Sequence, residues 1–298
     1  MKYAGELAAL GTAVCWAMSS NLFAAAGKRM GAVVLNRLRI TVAGLFLATA
    51  LLITRGSPWP FWATPTQVAL LALSGLVGFA WGDYYYFRSL VILGPGRATL
   101  LSSTAPLFTL IFAWPLLGEL PGPIALLGMA LTLAGIFTVL KPRSTRWLVH
   151  ARGATLTGVY AGVLASIGQA GGYVISKQAL HSGLDALSAT VIRIAAGAVA
   201  VWLLAAFRER PLRSFEALRN RRAASFMIGG AFLGPFLGVT LSLVALQFIE
   251  AGVASSITAI FPVLALFVSW RFHGEKLTIR TLVGTLVAVA GVVVLFTR

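Results

Sequence analysis

Ten runs of mostly apolar residues, each about 20 residues long, most constrain how this chain can fold. As a helix, about 20 residues cross the ~30 Å hydrocarbon core of a bilayer. Only 11% of the 298 residues are charged, whereas a soluble domain needs about 25%. We therefore predict an all-α integral membrane protein with ten transmembrane helices. The predicted spans are 4–26, 33–53, 68–90, 98–117, 123–140, 156–177, 187–207, 226–248, 254–272 and 279–296.

The chain repeats itself at a shift of 156 residues, without a gap over about 60 residues. The aligned pairs include Gly78 with Gly234, Gly82 with Gly238, Pro106 with Pro262, and Gly118-Glu119 with Gly274-Glu275. Arg39-Ile40 matches Arg193-Ile194 at a shift of 154. Each half holds five predicted spans, an odd number, so the second half must enter the membrane inverted. Two inverted repeats around a central cavity are typical of secondary transporters, with the substrate site at their interface.

This repeat divides the chain into three parts. Residues 1–140 form the first five-helix repeat, 141–155 a basic linker, and 156–298 the second five-helix repeat. The N-terminal segment resembles a signal peptide, but Glu6 offsets Lys2 at its start. Because the repeat gives this segment a partner in the second half, we expect it to remain as a helix.

Basic residues are concentrated between the spans. The net charge is +16, and the loops on one side carry 17 of the 24 Lys and Arg against 4 on the other. The positive-inside rule then places both termini outside the cytoplasm, with the basic loops against anionic lipid headgroups. Within 208–222, six arginines and two glutamates predict a short helix lying on the cytoplasmic leaflet. We expect no nucleic-acid partner, since loop arginines of this kind serve orientation.

Motifs for catalysis and for metal binding are missing from the sequence. Cys15 is the single cysteine, and three scattered histidines form no metal-ligand pattern. The chain also lacks HExxH, GxSxG and the Walker A pattern. We therefore predict no metal, no cofactor, no enzyme activity and no ATP hydrolysis within this chain.

Asp83 is the leading candidate for a functional residue. It lies inside a predicted span, and its counterpart in the repeat is Val239. A charge inside a span costs at least about 2.5–3.5 kcal/mol, so it faces a cavity or a partner. Three interpretations stay open: exchange of a proton or contact with a substrate ammonium, an ion pair with a buried arginine, and a solvated position near the membrane surface.

Aromatic residues surround Asp83 at helical spacing. Phe79, Tyr86 and Phe87 lie at i−4, i+3 and i+4, on the same face as the carboxylate. This arrangement suits a cationic amine with an apolar body. An aromatic belt at the membrane surface explains the run of tyrosines equally well.

Two prolines mark a second set of candidates. Pro106 and Pro262 cannot donate to the carbonyls of Ser102 and Thr258, so these carbonyls are free to face a cavity or another helix. We predict kinks here that line the cavity, with kinks that only aid packing as the alternative. In the first and sixth helices, Trp16 and Ser20, and Gln169 and Tyr173, occupy faces that either line the cavity or pack in the core.

Other repeated features indicate scaffold. Arg39 and Arg193 occur in both halves, where they could pair with acidic groups or extend to the nearer membrane surface, and one of them could bind a substrate carboxylate. Glu119 follows a glycine and is expected to cap the next helix. Small residues at matching positions of the fifth and tenth helices predict close packing or a dimer face. They are Gly128, Thr132, Gly135, Gly284, Ala288 and Gly291.

The segments YYFRSLVILGPGRATLLSSTAPLFTLIFAWPLLGEL (85–120) and LVALQFIEAGVASSITAIFPVLALFVSWRFHGEKL (243–277) resemble the drug/metabolite transporter superfamily, with two EamA-type domains. Each has a small-residue-rich helix with a mid-helix proline, followed by a Gly-Glu turn. The resemblance covers essentially the whole chain and implies a small-molecule permease.

From these features we expect a secondary transporter in the bacterial cytoplasmic membrane. It would export small metabolites, amino acids or similar amphiphilic amines, by alternating access, as a monomer or a homodimer. Two alternatives remain. One is a permease for drugs or nucleotide-type metabolites that acts by facilitated diffusion, and the other is a lipid-handling, flippase-like protein.

Overall fold

A computed structural model of the protein describes residues 3–93, 95–140, 154–208, 211–273 and 278–297. Within these ranges we number ten long helices α1 to α10, of which α4 and α9 are each broken into two segments. They are α1 Ala4–Met30, α2 Ala32–Arg55, α3 Pro65–Leu93, α4 Pro95–Ser102 with Ala105–Leu117, α5 Pro123–Leu140, α6 Ala154–Leu180, α7 Ala186–Arg208, α8 Arg221–Phe248, α9 Ala251–Thr258 with Phe261–His273, and α10 Ile279–Phe296. Most of the predicted linker 141–155, and the second Gly-Glu pair, lie outside these ranges.

The predicted membrane fold is confirmed. Eight helices are long and apolar enough to cross a membrane, and the apolar stretches Pro123–Val139 and Ala251–Ala265 are shorter. Helices α5 and α10 have the predicted bounds, and most others extend the prediction by a few residues. Large apolar side chains such as Leu45, Ile53 and Val91 remain exposed on the outside of the bundle, as a lipid-facing surface requires.

The internal repeat reappears in the irregular parts of the helices. A π-helical segment, Leu76–Gly82, interrupts α3, and a second, Phe232–Gly238, interrupts α8 at the same repeat position. Helix α4 breaks between Ser102 and Ala105, and α9 breaks between Thr258 and Phe261, again at a shift of 156 residues. Such interruptions in both halves are properties of the scaffold, although single-turn π segments often lie at functional sites.

The two halves exchange their first helices. Helix α1 packs against α8 and α9 of the second half, while α6 packs against α3 and α4 of the first. Gly5 near the start of α1 and Lys177 near the end of α6 both contact Ile249, so α1 and α6 run in opposite directions. The halves are thus inverted and interlocked.

Helices α5 and α10 pack closely through their small residues. A side chain at Gly135 would overlap the main chain of Ala288, and one at Gly291 would overlap that of Thr132. The small-residue pattern therefore holds two helices of one chain together.

We distinguish two ends of the bundle. The terminal end is where α1 begins and α10 ends, and Tyr3 packs on Phe296 there. The opposite, basic end includes the short 3₁₀ helix Pro211–Arg219. In that helix, Ser214 is buried and accepts a hydrogen bond from Arg37 at 3.3 Å, and Phe215 stacks on Trp202. The segment predicted to lie on the leaflet is therefore anchored to α2 and α7.

Candidate functional site

A cavity of about 190 Å³ lies between the two halves. Helices α1, α3, α4, α6, α8 and α9 line it, and α2 contributes Arg39. Residues that line it are Trp16, Ser19, Ser20, Phe23, Arg39, Phe79, Gly82, Asp83, Tyr86, Ser102, Ala105, Pro106, Ala165, Gln169, Tyr173, Gly234, Pro235, Val239, Ser255, Thr258, Ala259 and Phe261. The wall is mixed: aromatic rings and hydroxyls surround one carboxylate and one guanidinium.

Most of the candidates from the sequence meet at this cavity. Phe87 does not line it; its ring lies beside the Arg39 guanidinium, 5.5 Å from Cζ to the ring centroid. Pro262 is buried and does not line it either. Residues of the predicted set that line the cavity are Asp83, Phe79, Tyr86, Trp16, Ser20, Ser102, Thr258, Gln169, Tyr173 and Pro106.

Asp83 forms an ion pair with Arg39. Oδ2 of Asp83 accepts a hydrogen bond from Nη2 of Arg39, and the side chains are only 19% and 15% exposed. Nε of Arg39 also donates to Oδ1 of Asn36 at 2.9 Å. The ion-pair interpretation of Asp83 thus describes this conformation, while its place on the cavity wall leaves the carboxylate within reach of a substrate or a proton.

Arg193, the repeat counterpart of Arg39, has a different environment. Its side chain is buried, at 3% exposure for the residue, and its Nε has no hydrogen-bond partner among the described residues. Its Cζ lies 5.0 Å from the ring centroid of Phe79 and 5.9 Å from that of Tyr173. The guanidinium therefore lies directly behind two rings of the cavity wall. Burying a charge without a partner is costly.

Glycines make room for this buried guanidinium. Nη2 of Arg193 lies against Gly78 and Gly172, where any side chain would crowd it. The main chain of Arg193 itself contacts Gly75, which is the residue before the π segment of α3. The sequence analysis used Gly78 and Gly82 only as repeat positions, and their spacing does not reveal that Arg193 fills this space.

Hydroxyl groups form one edge of the cavity. Tyr173 is 2% exposed, and its hydroxyl lies near Ser242 and Thr258 without a well-aligned hydrogen bond to either. Thr258 donates to the main chain of Ser255, whose own hydroxyl pairs with Thr109 at 3.2 Å. The Tyr173 hydroxyl is thus a buried polar group that the described part of the chain leaves unsatisfied, which is unusual in proteins.

The prolines mark helix breaks. Pro106 is the second residue of the segment Ala105–Leu117, and Pro262 is the second residue of Phe261–His273. Proline suits the first turn of a helix, where its missing N–H costs nothing. Each proline therefore begins a new helical segment beside the cavity, where the sequence had suggested a bend in a continuous helix.

A buried ion pair closes the terminal end. Glu119, in the turn between α4 and α5, pairs with Lys177 of α6, at side-chain exposures of 14% and 7%. Lys177 also donates to the carbonyl of Ile249, and Glu119 accepts from the N–H of Ala251 at 2.7 Å. We call these four residues the terminal latch. The expectation that Glu119 caps the next helix was wrong: it caps the start of α9, in the other half.

Accessibility decreases along the cavity towards this latch. Asp83 and Ser20 are partly accessible, whereas Tyr173, Ser255 and Thr258 are buried. Further towards the terminal end, the core residues include Leu243 and Leu246, both fully buried. This gradient indicates access from the basic end. A wider hollow of about 520 Å³ at the terminal end lies among helix ends and contains none of the predicted site residues.

Comparisons with known proteins agree with this architecture. The model of the EamA-like transporter family matches residues 3–141 and 156–297. A solved structure described only as "Crystal structure of protein" is similar over 99% of this chain and 96% of its own length, with a TM-score of 0.74 and 18% identity. At that identity the similarity shows the fold alone. No curated protein matches the chain.

Proposed function

This chain belongs to the EamA-like transporter family, and we propose that it is a secondary transporter that exports small metabolites by alternating access. Amino acids and similar small amphiphiles are the substrate class that the cavity supports best. Its wall combines apolar rings for a hydrocarbon body with a few polar groups that fix orientation, as is typical of small-molecule sites. Neither a cofactor nor a metal takes part in this proposal.

The observation that carries the proposal is the contrast between the two ends of one cavity. On the side of the basic end, the residues of the cavity wall are partly accessible. On the side of the terminal end, buried residues and the terminal latch lie between the cavity and the surface. Alternating access requires a site between inverted repeats that opens to one side at a time. The conformation described here fits the state that is open towards the basic end.

The direction of transport depends on orientation. Because Lys and Arg are concentrated at the basic end, the positive-inside rule places that end in the cytoplasm and both termini outside. The cavity then opens to the cytoplasm of a bacterial cell, where an exporter loads its substrate.

Cysteine labelling tests this orientation. In a Cys15→Ser background, Phe61→Cys lies in the exposed loop at the terminal end, and Arg219→Cys is exposed at the basic end. In intact cells, a membrane-impermeant maleimide should label Phe61→Cys and leave Arg219→Cys unlabelled until the cells are opened. The reverse pattern would place the cavity opening outside and argue for uptake.

Coupling to protons is proposed to depend on Asp83. A proton that reaches this carboxylate would neutralise it and free Arg39, which changes the charge balance of the cavity wall. A carrier acting by facilitated diffusion needs no such step.

Reconstituted liposomes test both substrate and coupling. Labelled amino acids are screened for uptake with and without an imposed pH gradient, using wild type, Asp83→Asn and the control Tyr84→Phe, which is half-exposed outside the cavity. A gradient response that Asp83→Asn loses while it still exchanges substrate supports proton coupling. An unchanged mutant indicates a facilitated carrier in which Asp83 is structural. If no amino acid moves, the substrate class is wrong, and drugs, nucleotides and fluorescent lipids are tested in the same vesicles.

A further inference from the structure

We propose that the cavity selects substrates that carry a carboxylate, with Arg193 and Tyr173 as the residues that determine this preference. The inference rests on the proposed function and specifies the substrate class of that same site. It differs from the expectation raised by Asp83 alone, which was a substrate recognised through its ammonium group.

The charged groups in and behind the cavity wall do not balance. Among the described residues, three charged side chains line the cavity or lie against its lining rings: Arg39, Asp83 and Arg193. Asp83 interacts electrostatically with both guanidiniums. When all three are ionised, the wall has one positive charge in excess.

The carboxylate of the cavity wall, Asp83, is already paired with Arg39. Asp83 accepts from Arg39 in a direct ion pair, and Arg39 is further held by Asn36 and by the ring of Phe23, 5.3 Å from Cζ to the centroid. An incoming ammonium group would have to displace a charge-assisted hydrogen bond of this kind, which is among the stronger polar contacts in proteins. An amine therefore finds no free anionic partner.

The Arg193 guanidinium has no directly paired carboxylate among the described residues. Its Nε is also unsatisfied within that part of the chain. A positive charge enclosed by apolar walls acts over several ångströms, because little water screens it. A substrate carboxylate in the cavity would balance this charge across the rings of Phe79 and Tyr173, without touching the guanidinium.

Tyr173 provides a hydrogen-bond donor near Arg193. Tyr173 lines the cavity, and its hydroxyl is buried beside Ser242 and Thr258 without an aligned hydrogen bond among the described residues. Its ring lies 5.9 Å from Cζ of Arg193, so a carboxylate that accepts a hydrogen bond from Tyr173 also lies in the field of the arginine. A small movement of the buried hydroxyl towards the cavity would let it donate to such a carboxylate, and a hydrogen bond to a charged acceptor is among the stronger ones.

Three compounds with one hydrocarbon body test this inference on the full-length protein in detergent. L-leucine carries both charged groups, 4-methylpentanoate only the carboxylate, and 3-methylbutylamine only the amine. Titration calorimetry at neutral pH should show binding of L-leucine and 4-methylpentanoate, each at least tenfold tighter than 3-methylbutylamine, which is a difference of about 1.4 kcal/mol. Binding of the amine at equal or greater strength, or failure of both carboxylates to bind, overturns the proposal.

Two variants locate the effect. Arg193→Gln should weaken binding of 4-methylpentanoate by about tenfold and leave 3-methylbutylamine unchanged, since one unit charge is removed. Tyr173→Phe keeps the ring and removes only the donor, so it gives a second test if Arg193→Gln fails to fold. Equal binding of 4-methylpentanoate to wild type and Tyr173→Phe would remove Tyr173 from the site.

This test and the transport assay can fail separately. If liposomes transport a substrate that has no carboxylate, the proposed transporter function remains and the charge preference is wrong. If L-leucine and 4-methylpentanoate bind but no amino acid crosses the bilayer, the preference remains and the transport substrate must be another carboxylate.

Discussion

Arg39 and Arg193 occupy matching positions in the two halves of the molecule, yet their surroundings differ. Arg39 lies on the cavity wall and pairs with Asp83, whereas Arg193 lies behind two rings and forms no direct ion pair among the described residues. The position corresponding to Asp83 is Val239, which is buried but also lines the cavity. The comparison shows that the repeat reproduces the backbone and the cation, while a single carboxylate gives the cavity its asymmetry.

Substitutions that make one half resemble the other, or depart from it, test this comparison. The largest effect is expected from the first of them and the smallest from the last.

Removing the cation from the paired half should have the largest effect. Arg39→Gln leaves the partly buried Asp83 carboxylate without its partner, and the roughly 3–5 kcal/mol for breaking a fully buried pair is the upper limit of the expected loss. We expect a clear fall in the denaturation midpoint of the detergent-solubilised protein. The double variant Arg39→Gln/Asp83→Asn should recover much of the loss, and the exposed Arg88→Gln should change little. A single variant as stable as wild type would mean that the pair does not form.

Gly75→Ala gives the first half the alanine that the second half has at position 231. In the first half a methyl group would overlap the carbonyl oxygen of Arg193, so α3 and α7 must separate. We expect a loss of about 1–3 kcal/mol in unfolding free energy, as for other overpacked sites. The matched control is Ala231→Gly, and an equal or smaller loss for Gly75→Ala would show that the contact is not tight.

Val239→Asp gives the second half the carboxylate of the first. The added charge lies on the cavity wall and cancels the excess positive charge. Binding of 4-methylpentanoate should weaken about tenfold, or ~1.4 kcal/mol, in the same calorimetric assay. Val239→Asn, which is similar in shape but neutral, should bind within a few-fold of wild type. If both variants lose binding equally, size and not charge is responsible.

Phe87→Leu should have the smallest effect. Leucine is the counterpart at position 243, and the change removes the ring that lies 5.5 Å from Cζ of Arg39. A cation–π contact is worth about 0.5–1 kcal/mol where it is partly exposed. We expect a loss of that size in wild type and a smaller one in the Arg39→Gln background, measured as a double-mutant cycle. Equal losses in both backgrounds would assign the effect to packing alone.

Much of the architecture could be predicted from the sequence because it repeats. Apolar length gives the spans, and the 156-residue shift gives five helices in each half and therefore their inversion. The same shift identified Asp83 as a charge present in one half only. Helical spacing placed Phe79 and Tyr86 with it, and both line the cavity.

Other features depend on contacts that spacing along one helix does not reveal. Arg39 and Asp83 are 44 residues apart, and Glu119 and Ala251 are 132 apart, so neither pairing could be read from a local pattern. The i+4 count from Asp83 to Phe87 lies within regular α-helix, but it could not show that Arg39 of α2 lies beside the Phe87 ring and that Phe87 does not line the cavity. The partners of Lys177 and the rings beside Arg193 also come from other helices, so no pattern along one helix could predict these contacts.

The exchange of α1 and α6 has a consequence for how the protein is made. Helix α1 is synthesised before the other nine helices, but its packing partners α8 and α9 belong to the second half and follow much later. Ser19, Ser20 and Asn21 donate hydrogen bonds to the carbonyls of Trp16 and Ala17 in their own helix, whereas the bond from Asn21 to the carbonyl of Ala265 forms only once α9 is present. Helix α1 must therefore remain in the bilayer without these partners until α8 and α9 have been synthesised and inserted.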